Sequence, residues 1–129
     1  KAQLTQIRSA APDAIFIPAY YTEVGLIARQ ARQLGIKAVF LGGDGWDSPK
    51  LFEIGQKAIE GSYFSNHYAV ESTNEATQEF IKKFKEKFNE TPDGLAAAGY
   101  DAAQILIEAI ERAETITPDA IRAQLASTK

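Results

Sequence analysis

The chain has no cysteine and no methionine among its 129 residues, and only one histidine and one tryptophan. Without cysteine there is no disulfide framework, no thiolate nucleophile and no cysteine-based metal site, which leaves both oxidising and reducing compartments open. The lone histidine, His67, has no second histidine to share a metal or a catalytic proton with, so neither role is expected of it. No apolar run approaches the length of a membrane-spanning helix. Charge of one sign is also scarce. Fourteen Lys and Arg against seventeen Asp and Glu give a net −3, which provides no footprint for nucleic acid or an anionic membrane. The lysines that do cluster, Lys82, Lys83, Lys85 and Lys87, share a helix with phenylalanines and read as its solvated face.

What is present is an ordinary globular composition, 45% hydrophobic and 24% charged, in a length that suits one compact domain. The chain opens inside a helical pattern, with no initiator methionine, so it is expected to be a segment of a longer protein whose targeting signal is not legible here.

The first half alternates. Leu4, Ile7 and Ala11 have helical spacing. Ala14-Ile15-Phe16-Ile17 is wholly apolar, as a strand of a parallel sheet buried on both faces should be. Val24, Ile27, Ala28, Ala31 and Leu34 mark one face of a helix that Thr22 is placed to start and Gly35 to end. Residues 37–41 read as a second strand, Pro49 to Lys57 as a short helix begun by Ser48 and Pro49, and 61–65 as a third strand. This is the pattern of right-handed βαβ units and a parallel α/β sheet, in which ligands bind beyond the carboxyl ends of the strands. Two loops leave those ends. One carries Tyr20 and Tyr21; the other, Gly42-Gly43-Asp44-Gly45-Trp46, carries a carboxylate and the only tryptophan. A charge beside an aromatic plate suits a small cationic or zwitterionic ligand.

Residues 66–74 are polar and irregular, and the rest reads as helix. Phe80, Ile81, Phe84 and Phe88 lie on one face of 76–88. Ala98, Ala102, Ile105, Leu106, Ala109, Ile110 and Ala113 form a stripe expected to be buried, and Thr117-Pro118 caps a last helix. These helices have no strand to pack on, so dimerisation, or pairing with a missing part of the protein, is expected.

Each candidate has a plainer role. Asp44 can turn the loop, although Asp47, next to Ser48-Pro49, is better placed to cap the following helix. Tyr20 and Tyr21 can pack at the sheet edge, and Trp46 can cover the core. Glu23 suits the positive end of a helix better than a metal site shared with Asp44 and Asp47. The glycine-rich loop lacks phosphate-loop spacing, and its carboxylate would repel phosphate.

Four stretches together carry a resemblance: Pro12-Asp13-Ala14-Ile15-Phe16-Ile17-Pro18-Ala19-Tyr20-Tyr21, Ala28-Arg29-Gln30-Ala31-Arg32-Gln33-Leu34-Gly35-Ile36, Leu41-Gly42-Gly43-Asp44-Gly45-Trp46-Asp47 and Gly99-Tyr100-Asp101-Ala102. In this order the chain resembles the periplasmic leucine/isoleucine/valine-binding proteins, the solute receptors of ABC importers with the type I periplasmic binding fold. The resemblance implies two Rossmann-like lobes with the amino acid in the cleft between them. Residues 1–66 would belong to the second lobe (βαβαβ), and 67–129 would cross the hinge and supply helices of the first. It implies a periplasmic or extracytoplasmic, non-enzymatic receptor with no cofactor and no catalytic or metal residue, partnered by a small branched-chain or apolar amino acid and the importer's membrane subunits. It also implies that Asp44 pairs with the ligand ammonium and that Tyr20, with Tyr21 beside it, contacts the ligand; Trp46 is suited to wall the side-chain pocket. Two other readings stay open: a ligand-sensing regulatory domain of the same fold, and an Asp44-dependent hydrolase on a related α/β fold.

Overall fold

In a computed structural model, residues 2–128 are described. The alternating half forms α1 (Ala2–Ala10), β1 (Ala14–Phe16), α2 (Tyr21–Gln33), β2 (Val39–Gly42), a 3₁₀ turn (Asp44–Trp46), α3 (Pro49–Gly55), a second 3₁₀ turn (Gln56–Ile59) and β3 (Tyr63–Phe64). Three helices follow: α4 (Glu75–Phe88), α5 (Gly94–Arg112) and α6 (Pro118–Ala126). The strands lie in the order β1-β2-β3, all parallel, with Phe16 beside Leu41 and Gly42 beside Phe64. The pairing continues past the strand ends, where the Ile17 amide donates to the Leu41 carbonyl at 2.9 Å and the Ser65 amide to the Gly42 carbonyl at 3.2 Å. The loops leaving β1, β2 and β3 are thereby held side by side.

Right-handed crossovers put α2 and α3 on one face of the sheet. That face buries Ile17, Ala38 and Phe40 against Val24, Ala28 and Ala31 of α2, Leu51 of α3, and Leu4 of α1. The small residues of α2 allow close approach. A methyl group on Gly25 would stand 2.7 Å from Ile54 Cγ2, so bare glycine is what lets α2 rest on α3. Arg32 fastens the far end of α2 by donating to the Ile36 and Ala38 carbonyls at 2.8 and 2.9 Å, with its guanidinium 4.2 Å from the centre of the Phe40 ring. Gly35, at φ +79°, makes the left-handed exit.

The alternation of side chains across a strand puts Phe16, Val39, Leu41 and Tyr63 on the other face, and all four are exposed. The expectation of strands buried on both faces therefore fails among the described residues, because both crossover helices lie on the same side. The helix after β1 also begins at Tyr21, with Tyr20 rather than Thr22 in the capping position.

The chain divides into two compact units, Lys1–Leu95 and Ala96–Lys129, so α4 and the segment at 66–74 go with the sheet. Asn74 caps α4, and Asn89 ends it in a left-handed conformation. Of its apolar face Phe80 and Ile81 are buried while Phe88 is exposed. In the second unit Thr117 caps α6, and Arg112 donates to Thr128 Oγ1 at 3.0 Å. The expected stripe on α5 is largely uncovered among the described residues: Ala109 is fully buried, whereas Ile105 and Leu106 are 41% and 45% exposed. A stripe that wide needs more than one partner surface, and the described part of the chain covers only its C-terminal end.

Candidate functional site

The site candidates lie where β1 and β2 end. After Phe16 the chain passes through Ile17, Pro18 and Ala19 to Tyr20, whose extended backbone starts α2 and whose ring is 64% exposed. After Gly42 the chain passes Gly43 and tightens into the 3₁₀ turn, with Trp46 N–H donating to the Gly43 carbonyl at 3.1 Å and Asp47 N–H to the Asp44 carbonyl at 3.0 Å. Because β1 and β2 are neighbours, Tyr20 and Asp44 border one open recess of about 420 Å³, with Phe16, Pro18 and Leu95 among its walls. Gly45 makes the approach possible, since a methyl group there would meet the Tyr20 ring at 3.1 Å and the Ala19 carbonyl at 3.2 Å. Asp44, its side chain 69% exposed, is the charged group among the residues lining this recess.

Trp46, expected from sequence to wall the side-chain pocket, is not among the residues lining this recess; it borders the neighbouring one with Asp47, Phe64 and Tyr68. In a turn with three residues per revolution, residues two apart face different ways, so the turn that presents Asp44 sends Trp46 inward. Trp46 is 1% exposed, its Nε1 donates to the Ile17 carbonyl at 3.1 Å, and its ring lies 6.1 Å from that of Phe64. The indole lies so close over Gly42 that a methyl group there would overlap it. Trp46 is thus the peg that joins the exits of β1, β2 and β3 beneath the recess. Tyr21 is likewise absent from the lining of this recess. One residue further along the helix it turns away from the recess, half-buried against the core.

Sequence reasoning missed two contributors. Leu95 reaches the recess from α5, about fifty residues downstream of Asp44. Its position is set by Asp47. Ser48, not Asp47, caps α3 by accepting from the Lys50 amide at 3.3 Å. Asp47 Oδ2 instead accepts from the Gly94 amide at 2.6 Å and from Asn66 Nδ2 at 2.8 Å, capping α5 across 47 positions of sequence. Gly94 is required there, because a methyl group would stand 2.5 Å from that oxygen. No local pattern marks this contact; the Pro92-Asp93-Gly94 break shows only that a helix can begin. Nearby, the Tyr68 hydroxyl donates to the Pro92 carbonyl at 3.2 Å. Burial, followed by the negative field of Asp47, Asp93 and Glu71, pushes its pKa up, so the phenol stays a neutral donor.

Asp47→Ala is expected to leave the Gly94 and Asn66 donors without their acceptor and to cost about 1–3 kcal/mol of stability. Urea unfolding of the full-length chain measures this, and a midpoint equal to that of the unsubstituted protein would remove Asp47 from its structural role.

His67, three residues past β3, comes close to the rim. Its Nδ1 lies 3.8 Å from Asp44 Oδ2, and with Ser65 and Asn66 it lines a second shallow recess on the other side of Asp44. The recess between Tyr20 and Asp44 offers one anionic group on an aromatic and apolar ground, with no Lys or Arg in its lining. That chemistry holds a small cation or zwitterion with an apolar body.

A family model described as "Periplasmic binding protein" matches residues 1–129. Leu/Ile/Val-binding protein BraC3 of Rhizobium johnstonii is 30% identical over 112 residues, 87% of this chain and 30% of that protein. The leucine-, isoleucine-, valine-, threonine- and alanine-binding protein of Pseudomonas aeruginosa is 28% identical over 121 residues, covering 93% of this chain and 32% of that protein. Among solved structures, the leucine-binding protein LivK of Thermotoga maritima superposes with a TM-score of 0.88 at 44% identity, over 99% of this chain and 37% of its own. LivJ of Streptococcus pneumoniae, in complex with isoleucine, gives 0.81 at 30% identity, over 100% of this chain and 37% of its own. The chain therefore spans about a third of the length of the proteins it matches.

Proposed function

The chain belongs to the periplasmic binding protein family, and from that premise we propose that it is part of an extracytoplasmic receptor for a branched-chain or other small apolar L-amino acid. The observation that carries this reading is the exposed Asp44 carboxylate on the rim of a recess walled by Tyr20, Phe16 and Leu95 at the carboxyl edge of a parallel sheet. Asp44 takes the ligand ammonium, and Tyr20 and Leu95 contact its apolar part. The names of the solved neighbours, a leucine-binding protein and a substrate-binding protein in complex with isoleucine, favour a ligand of this class.

In this reading the sheet edge that carries Asp44 and Tyr20 belongs to one lobe of a two-lobed receptor, and helices later in the chain belong to the other. Ligand seated on the Asp44 rim is closed over by the facing lobe, which removes water from the ion pair. Closure is then a population shift driven by the ligand's extra contacts in the closed state, and the closed receptor is what the membrane subunits of an ABC importer recognise. The receptor binds its solute and does not transform it, and the recess brings no nucleophile and base together.

Isothermal titration of the full-length protein with leucine, isoleucine, valine, alanine, phenylalanine, glutamate, acetamide and urea tests the reading. Tight binding of one or more apolar L-amino acids is expected. Silence toward every zwitterion, with acetamide or urea binding instead, would overturn it.

A further inference from the structure

The only histidine of the chain stands beside the carboxylate assigned to the ligand ammonium. Asp44 lies two residues past β2 and His67 three past β3, and the parallel pairing of Gly42 with Phe64 brings the two exits to one edge. The segment carrying His67 is fixed. Its amide donates to Asn66 Oδ1 at 2.9 Å, while Asn66 Nδ2 donates to Asp47 Oδ2 at 2.8 Å and to the Tyr68 carbonyl at 2.9 Å. Asp47, itself anchored on the Gly94 amide, thus holds the His67 backbone near the rim through Asn66.

The other charged groups of this region are acidic. Asp44 faces the imidazole from the loop after β2. Asp47, in the same loop, is engaged by Asn66 and Gly94. Glu71, on the segment after β3, and Asp93, before α5, line the neighbouring recess with Asp47 and Tyr68. No Lys or Arg lines that recess or either recess that Asp44 borders. Among these lining residues a protonated His67 is therefore the one cation that can compete for Asp44.

We infer that His67 is the counter-ion of Asp44 in the empty site, so that capture of an ammonium ligand requires a neutral imidazole. This rests on the reading of Asp44 as the ammonium partner. Histidine changes charge between pH 5 and 8. When neutral, His67 leaves Asp44 free. When protonated, it pairs with Asp44 and repels the incoming ammonium, so ligand binding expels the proton. Affinity is accordingly full where the imidazole is neutral and falls where it is protonated. Both side chains are more than half exposed, so the effect has the size of an exposed ion pair, roughly three- to five-fold in affinity.

The experiment is calorimetric titration of the full-length protein with L-leucine at about pH 8 and about pH 5.5, on either side of the range in which histidine ionises. The unsubstituted protein, His67→Gln and Asp44→Ala are compared. Glutamine keeps a polar side chain of similar reach but carries no charge at either pH. The expected result is a three- to five-fold loss of affinity at the lower pH in the unsubstituted protein and none in His67→Gln. Proton release on binding, read from the buffer dependence of the heat at the lower pH, disappears in the variant. A merely structural His67 would shift affinity equally at both pH values and leave the slope unchanged. Loss of binding in Asp44→Ala, together with equal slopes in the unsubstituted protein and His67→Gln, overturns the inference and leaves the receptor reading standing. Unchanged affinity in Asp44→Ala overturns the inference together with the assignment of Asp44, and no binding of any apolar L-amino acid by the unsubstituted protein overturns the receptor reading as well.

Discussion

Asp44→Ala in the full-length protein is expected to weaken leucine binding by roughly two to three orders of magnitude. The reason is asymmetric. In the empty site Asp44 is well hydrated, its side chain 69% exposed, and it contributes little to folding. Once ligand and the opposing lobe exclude water, the ammonium has lost its hydration and the carboxylate is what replaces it. Truncating one partner of a desolvated, hydrogen-bonded charge pair costs about 2–5 kcal/mol, because the remaining charge is buried alone. Asp44→Asn, which keeps the shape and one acceptor oxygen but not the charge, should recover only a minor part. Titration calorimetry reads the affinity and urea unfolding the stability; the variant should lose the first and keep the second to within about 0.5 kcal/mol, as surface substitutions do. Affinity within two-fold of the unsubstituted protein would remove Asp44 from the site.

Trp46→Ala should behave in the opposite order, with stability failing first. The indole is 1% exposed, lies over Gly42 and beside Phe64, and donates to the Ile17 carbonyl at 3.1 Å. Truncating a buried aromatic of this size costs about 3–5 kcal/mol, the lost transfer energy plus the cavity left behind. Urea unfolding followed by far-ultraviolet circular dichroism measures this without relying on the fluorescence of the residue removed. Trp46→Phe fills most of the volume but leaves the Ile17 carbonyl without its donor, for a smaller loss of about 1–3 kcal/mol. If Trp46→Ala unfolds at the same urea concentration as the unsubstituted protein, the tryptophan is not the peg beneath the recess. Any fall in leucine affinity in these variants is expected to follow from the 3₁₀ turn losing its anchor rather than from a lost ligand contact.

The two variants separate what the loop Gly42-Gly43-Asp44-Gly45-Trp46 presents from what it rests on, and the sequence did not make that division. It showed a carboxylate and an aromatic between glycines at the end of a strand. Which of them faces out depends on the hand and pitch of a single 3₁₀ turn, and on the cover that β1 and β3 provide for an indole. Tyr20 and Tyr21 posed the same question, decided by where α2 begins.

Much was legible because it is local. The apolar runs of β1 and β2, the periodic face of α2, the Ser48-Pro49 start of α3, the Gly35 exit and the Thr117-Pro118 cap each follow from residues within a turn or two of one another. From these the parallel α/β class follows, and from the class the edge where a ligand sits. The contacts that complete the site join residues far apart: Trp46 to Ile17, Gly25 to Ile54, Asp47 to Asn66 and Gly94. A hydrogen bond across 47 residues leaves no periodicity, and a glycine bared for a neighbouring helix looks in sequence like any other glycine within a helix. The sequence by itself therefore determined the elements, their order and the loops that carry the chemistry. Only the tertiary structure decided that Asp44 stands at the rim beside His67 while Trp46 lies beneath it, because side-chain direction at a loop is set by what packs against it and not by its neighbours in the chain.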